Sequence, residues 1–234
     1  MYVMIIDTET ANSIDQPLPY DFGWAIVDTE TGEIVDKHSY VCAEIFLDKE
    51  LMSSAYFAEK VPHYWDDIKS GKRQLKKFLN IRKELWSCLK TFNIKHVGAY
   101  NMGFDKRASN NDTRYLTSSY LRWFFPFKVE LFCIWHMACT SFLNTSDYIR
   151  FALDNGFVSE AGNIQTSAEC AYRYLVNDPE FEESHTGLED VLIETAIYLN
   201  CLKTGTDSMK SNPYTCCWRN VQRTFKELSE NGEF

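Results

Sequence analysis

Long hydrophobic runs are missing from this chain. No apolar stretch in its 234 residues approaches the roughly 18–20 residues that a membrane span needs, so no membrane association is expected. No basic segment followed by an apolar stretch opens it, so no signal peptide is expected. None of its eight cysteines forms a CxxC pair, and Cys216 and Cys217 are adjacent, a poor spacing for zinc. Cys133, Cys139, Cys170 and Cys201 lie inside apolar patterns, where cysteine acts as a small hydrophobe. A reduced, cytoplasmic protein is the expectation, in a host cytoplasm if the chain is phage-encoded. Internal repeats and low-complexity tracts are also missing.

Basic residues are scarce at both ends. Residues 1–70 carry 4 basic and 14 acidic residues, net −10; residues 71–150 carry 14 and 5, net +9; residues 151–234 carry 6 and 14, net −8. The total of −9 argues against a general nucleic-acid coat. The basic middle offers a phosphate-binding face, or else simply offsets acidic faces in the fold.

What is present suffices for a packed core: 45% hydrophobic and 15% aromatic residues. The length suits one α/β domain, read here as residues 1–204, with residues 205–234 a linker and short helix. Tyr2 to Ile6, Asp21 to Asp28, Glu33 to Val41, Lys95 to Tyr100 and Val129 to Trp135 read as five strands. Thr10 to Pro19 reads as a loop, and residues 42–71 as loops with short helical pieces. Lys72 to Phe92 reads as one amphipathic helix, with Lys72, Arg73, Lys76, Lys77, Arg82 and Lys83 on a solvated face. Ser146 to Asn155, Ser167 to Val176 and Trp218 to Leu228 read as helices. Trp123, Phe124 and Phe125 suit core packing or base stacking, with core packing preferred. His136 is read as a packing residue.

Three acidic stretches stand out. Asp7 and Glu9 end the first strand, and side chains two apart on a strand share a face. Carboxylates held side by side repel, and protonation, a basic partner or a divalent cation relieves this. An ordinary strand-end Asp with a nearby turn acid looks the same. Asp105 falls in the first turn of a helix starting near Phe104, where an Asp also serves as a cap or dipole residue. His185 precedes Thr186, whose spacing to Glu189 fits a capping box, and Asp190 lies in the first turns of the helix that follows.

Taken in order, Ile6-Asp7-Thr8-Glu9-Thr10, Asn101-Met102-Gly103-Phe104-Asp105 and His185 five residues before Asp190 are similar to the three motifs of the DEDDh-type 3′–5′ exonucleases. That family belongs to the ribonuclease H-like superfamily and includes proofreading polymerase subunits, ribonuclease T and oligoribonuclease. The stretch Ser167 to Ile197 resembles stand-alone bacteriophage exonucleases. Two positions depart from the pattern: Tyr100 stands where the second motif often has His, and Gly187 where the third often has Ala. The resemblance implies a five-stranded mixed sheet, strand two antiparallel, with helices on both faces. It also implies two Mg²⁺ or Mn²⁺ ions held by Asp7, Glu9, Asp105 and Asp190, with Asp7 between them. His185, with an ordinary pKa of about 6.5, is implied as general base. The implied substrate is nucleic acid with a free 3′ end, DNA favoured over RNA, with room for a polymerase partner. Other readings are an exoribonuclease, a superfamily endonuclease, and a non-catalytic module bound to a polymerase or replisome.

Overall fold

The structure, a computed structural model, describes residues 1–118, 120–206 and 216–232. In chain order come β1 (Tyr2–Ala11), β2 (Leu18–Asp28), β3 (Ile34–Cys42), α1 (Ala43–Phe46), α2 (Lys49–Met52), a 3₁₀ turn (Ala58–Lys60), α3 (Val61–Ser70), β4 (Gln74–Lys76), α4 (Phe78–Thr91) and β5 (His96–Ala99). Then follow α5 (Met102–Leu116), β6 (Glu130–Cys133), α6 (Ile134–Thr140), α7 (Ser146–Asp154), α8 (Ala168–Val176), α9 (Gly187–Lys203) and α10 (Trp218–Glu230). The polar linker expected before Trp218 lies largely outside the described residues.

The strands form one mixed sheet in the order β4-β3-β2-β1-β5-β6. β2 runs antiparallel to both β1 and β3, whereas β5 is parallel to β1. The expected antiparallel second strand is present, but the sheet has six strands rather than five. The extra strand is β4, parallel to β3 through Tyr40↔Gln74, Val41↔Leu75 and Cys42↔Lys76. β4 also corrects the helix expected from Lys72. Residues 74–76 are committed to the sheet, and the helix starts only at Phe78, whose N–H donates to Glu44 Oε2 at 2.9 Å.

Two compact units divide the chain. The first comprises Met1–Gly98, Met102–Leu131 and Ser184–Leu192; the second comprises Ala99–Asn101, Phe132–Glu183 and Ile193–Phe234. In the first, Val3–Ile6 of β1 are fully buried, as is most of β2. Such near-continuous apolar strands mark a sheet covered on both faces. Phe22, Phe78 and Phe124 pack together there, and Phe125 is buried too. Core packing therefore holds for Phe124 and Phe125, while Trp123 is exposed. The solvated face expected of the basic run also needs correcting: Arg73 is 2% and Arg82 9% exposed, and Arg82 bonds the carbonyls of Trp123 and Phe124. In the second unit the Gln222 side chain of α10 both accepts from the Ile164 N–H (2.8 Å) and donates to the Ile164 carbonyl (2.9 Å). Among the described residues, no helix is long and apolar enough to cross a membrane.

Candidate active site

β1 carries its apolar residues into the sheet and then changes character at Asp7. Asp7 lies opposite Gly23 and Glu9 opposite Asp21, and the β1–β2 register shifts between Glu9 and Thr10. The irregularity falls immediately after the acid pair, a place where bulges commonly re-aim side chains. Asp190 reaches the same place from the first turn of α9. Oxygen atoms of Asp7, Glu9 and Asp190 all lie within 4.8 Å of one another. Glu9 and Asp190 are buried and Asp7 half-buried.

Asp105 is not one of that trio. It sits buried in the first turn of α5, where the Thr8 hydroxyl donates to its Oδ1 at 2.9 Å. Burial pushes its carboxyl up to about 7, against the Thr8 hydroxyl and the backbone N–H groups of Asp105 and Thr8. His185 is held on the loop before α9 in the left-handed region, at φ 53°. Its ring stacks on Phe57, centroids 4.0 Å apart and planes 8° from parallel. Phe57 belongs to a stretch with no clear sequence period. With Tyr56, Phe104, Ile14 and residues Thr8 to Thr10, it lines a cavity of about 230 Å³ beside the acids.

A buried polar hub sets where α9 begins. Asp21 Oδ2 accepts from the Gly187 N–H (2.9 Å), the Tyr64 hydroxyl (2.7 Å) and Arg73 Nη1 (3.0 Å). Arg73 also donates to Ser39 (2.8 Å), Asp67 (2.9 Å) and Glu189 (2.5 Å). Burial pushes the Asp21 carboxyl upward, while Arg73, Tyr64 and Gly187 pull it back. Glu189 accepts the Thr186 hydroxyl at 2.7 Å, as the capping spacing suggests, and also pairs with Lys72 at 2.8 Å. The spacing did not disclose its larger role as the anion facing Arg73.

Gly187 fits this hub for a steric reason. A Cβ there would lie 3.0 Å from the Gly23 nitrogen and 3.2 Å from Asp21 Oδ2. The departure from Ala at this position therefore matches a close backbone approach. Gly23 serves twice, opposite Asp7 in the sheet and against Gly187 at the head of α9. Asp21, Tyr64, Arg73 and Phe57 are the site residues that sequence reasoning missed; only the glycine at position 187 hinted at them.

Chemically, the three clustered carboxylates form a concentrated set of hard oxygen donors. Such a set fits a hard divalent cation better than a softer metal. A cation there would relieve the mutual repulsion of Asp7, Glu9 and Asp190.

No protein-family model matches the chain, and no curated protein matches it in sequence. Solved structures do match in fold. A 3′-exonuclease that recognises the 3′ end of a histone mRNA stem-loop aligns with a TM-score of 0.60 and 16% identity, over 90% of this chain and 85% of its own. The nuclease domain of 3′hExo, a DEDDh family member bound to rAMP, aligns with a TM-score of 0.55 and 17% identity, over 90% and 96%. Exonuclease I of E. coli, in complex with a dA16 oligonucleotide, aligns with a TM-score of 0.50 and 14% identity, over 98% of this chain and 43% of that enzyme. The chain is thus similar in fold to DEDDh-type 3′-exonucleases.

Proposed function

We propose that this chain is a metal-dependent 3′–5′ exonuclease that releases nucleoside 5′-monophosphates from single-stranded DNA. The observation that carries this reading is the convergence of Asp7, Glu9 and Asp190 within 4.8 Å, on a fold shared with 3′-exonucleases. Asp7, Glu9, Asp105 and Asp190 would hold two Mg²⁺ or Mn²⁺ ions, with Asp7 common to both. When bound, such ions stabilise the negative charge on the entering and leaving oxygens of a phosphodiester and acidify the attacking water.

The chain's own groups do the rest. His185 accepts the proton of the attacking water at an imidazole nitrogen, a task imidazole suits because its unperturbed pKa as a free side chain is near neutrality. Phe57 holds the His185 ring by its face, which limits how far the base wanders between turnovers. The Thr8 hydroxyl holds the Asp105 carboxyl in place through Oδ1. The Asp21–Arg73–Glu189 hub holds the first turn of α9, and with it Asp190.

RNA is the second reading, favoured by the fold neighbour that acts on an mRNA stem-loop. One experiment tests both. Single-stranded DNA, duplex DNA and single-stranded RNA, each labelled at the 5′ end, are incubated with the protein in Mg²⁺ or Mn²⁺. A ladder shortening one nucleotide at a time, strongest on single-stranded DNA, is expected. A ladder on RNA alone would move the assignment to an exoribonuclease. No cleavage of any strand would favour a binding module.

A further inference from the structure

A second group of ligand atoms lies on β3 and α4. Asp36 and His38 are two apart on β3, and Cys88 of α4 meets them. His38 Nε2 is 3.0 Å from Asp36 Oδ2 and 3.5 Å from Cys88 Sγ, and the three donors lie within 4.8 Å of one another. In a Cys–His–Asp nucleophile arrangement, thiol and carboxylate engage opposite ring nitrogens. Here both converge on the same one, which excludes a proton relay and suits three donors around one ion.

Neighbouring groups orient the imidazole and the carboxylate. His38 Nδ1 is 3.0 Å from the Tyr40 hydroxyl, the kind of outer contact that fixes the tautomer of a metal-bound imidazole. Asp36 Oδ1 accepts the Lys37 N–H at 2.9 Å, which anchors the carboxylate and leaves Oδ2 turned to His38. The fully buried Trp24 ring packs against His38, centroids 5.2 Å apart and planes tilted by 35°.

The spacing supplies a metric test. A tetrahedral zinc ion with Zn–N of about 2.0 Å and Zn–S of about 2.3 Å sets the two donors about 3.5 Å apart. That matches His38 to Cys88. For a carboxylate oxygen the same geometry gives about 3.3 Å, against 3.0 Å between His38 Nε2 and Asp36 Oδ2. Cys88 is buried, while the Asp36 side chain is 37% exposed, so solvent reaches the remaining coordination position.

We propose that Asp36, His38 and Cys88 form a zinc site, distinct from the Asp7–Glu9–Asp190 carboxylates, with water as fourth ligand. The thiolate and imidazole select borderline-soft zinc over Mg²⁺. Binding releases the Cys88 proton to solvent and clips α4 to β3. The site is independent of the exonuclease reading.

Cobalt titration of the metal-stripped full chain tests this. Co²⁺ is expected to raise a thiolate-to-metal charge-transfer band that saturates at one equivalent. Zn²⁺ should bleach it, and excess Mg²⁺ should not. Asp7→Asn should retain the band, and Cys88→Ser should abolish it. Should Cys88→Ser fail to fold, His38→Gln and Asp36→Asn, at partly exposed positions of β3, should weaken Co²⁺ binding by at least about tenfold. Absence of the band, its survival in a folded Cys88→Ser chain, or unchanged affinity in His38→Gln and Asp36→Asn would overturn the site.

Discussion

Gly23 and Gly187 meet backbone to backbone. A Cβ built on Gly23 would stand 2.3 Å from the Gly187 carbonyl carbon and 2.4 Å from the Leu188 nitrogen. No flexible side chain is there to give way, so Gly23→Ala must push the head of α9 off β2. Overpacking of this kind costs about 1–3 kcal/mol, occasionally more. The displaced turn carries Asp190 and adjoins His185, so nuclease activity should fall further than stability does. Denaturant melts and initial rates on the same preparation measure the two losses.

Arg73 is the only cation bonded to the fully buried Asp21 in this hub, among the described residues. Arg73→Met keeps most of the packing volume but leaves the buried Asp21 carboxylate without a counter-ion and Glu189 with Lys72 alone. Removing one partner of a buried ion pair typically costs about 3–5 kcal/mol. The midpoint of urea unfolding should drop accordingly. A midpoint unchanged from wild type would show that the hub contributes nothing to stability.

Glu189 gives the hub a pH signature. Burial pushes its carboxyl upward, but bonds from Lys72 and Thr186 and the charge of Arg73 hold it at about 2, below the ordinary 4.5. With the folded pKa below the unfolded one, the native state binds fewer protons. The contribution is therefore complete above about pH 4.5 and disappears as pH falls towards 2. The thermal lead of wild type over Glu189→Gln should be constant near neutrality and shrink across that window.

Asp7→Asn should leave the fold intact and abolish metal-dependent hydrolysis. Several kcal/mol of transition-state stabilisation is at stake, about a thousandfold or more in rate. Circular dichroism and release of labelled mononucleotides report the two halves of this outcome.

His185→Ala should slow turnover by about 10²–10⁴-fold while leaving metal affinity near wild type. Phe57→Ala, which removes the stacked partner but not the base, should slow it less. Loss of metal binding in His185→Ala would assign that side chain to the ion rather than to the proton.

Local pattern made much of this molecule legible. The Tyr2–Ile6 run with its acid pair, the helix beginning beside Asp105, and the helices α7 and α8 all depend on neighbours in sequence. The hub was not legible for the opposite reason. Arg73 looks like one charge in a basic run, and its burial is set by Asp21 and Glu189, 52 and 116 residues away. Gln74–Lys76 join β3 as a strand, so the helix expected from Lys72 begins only at Phe78. Phe57 was missed because its value lies in facing His185, which no periodicity records.

β4 is only three residues long and pairs with β3 at Tyr40 to Cys42 alone. Among the described strands, the Ile34–Ser39 portion of β3 thus has a neighbour on one side, β2. An uncovered rail of that kind invites a foreign strand to zip on, and adjacent charges discourage it. Asp36 and Lys37 sit in the middle of that rail. Neutralising both should therefore make this rail a template along which chains associate.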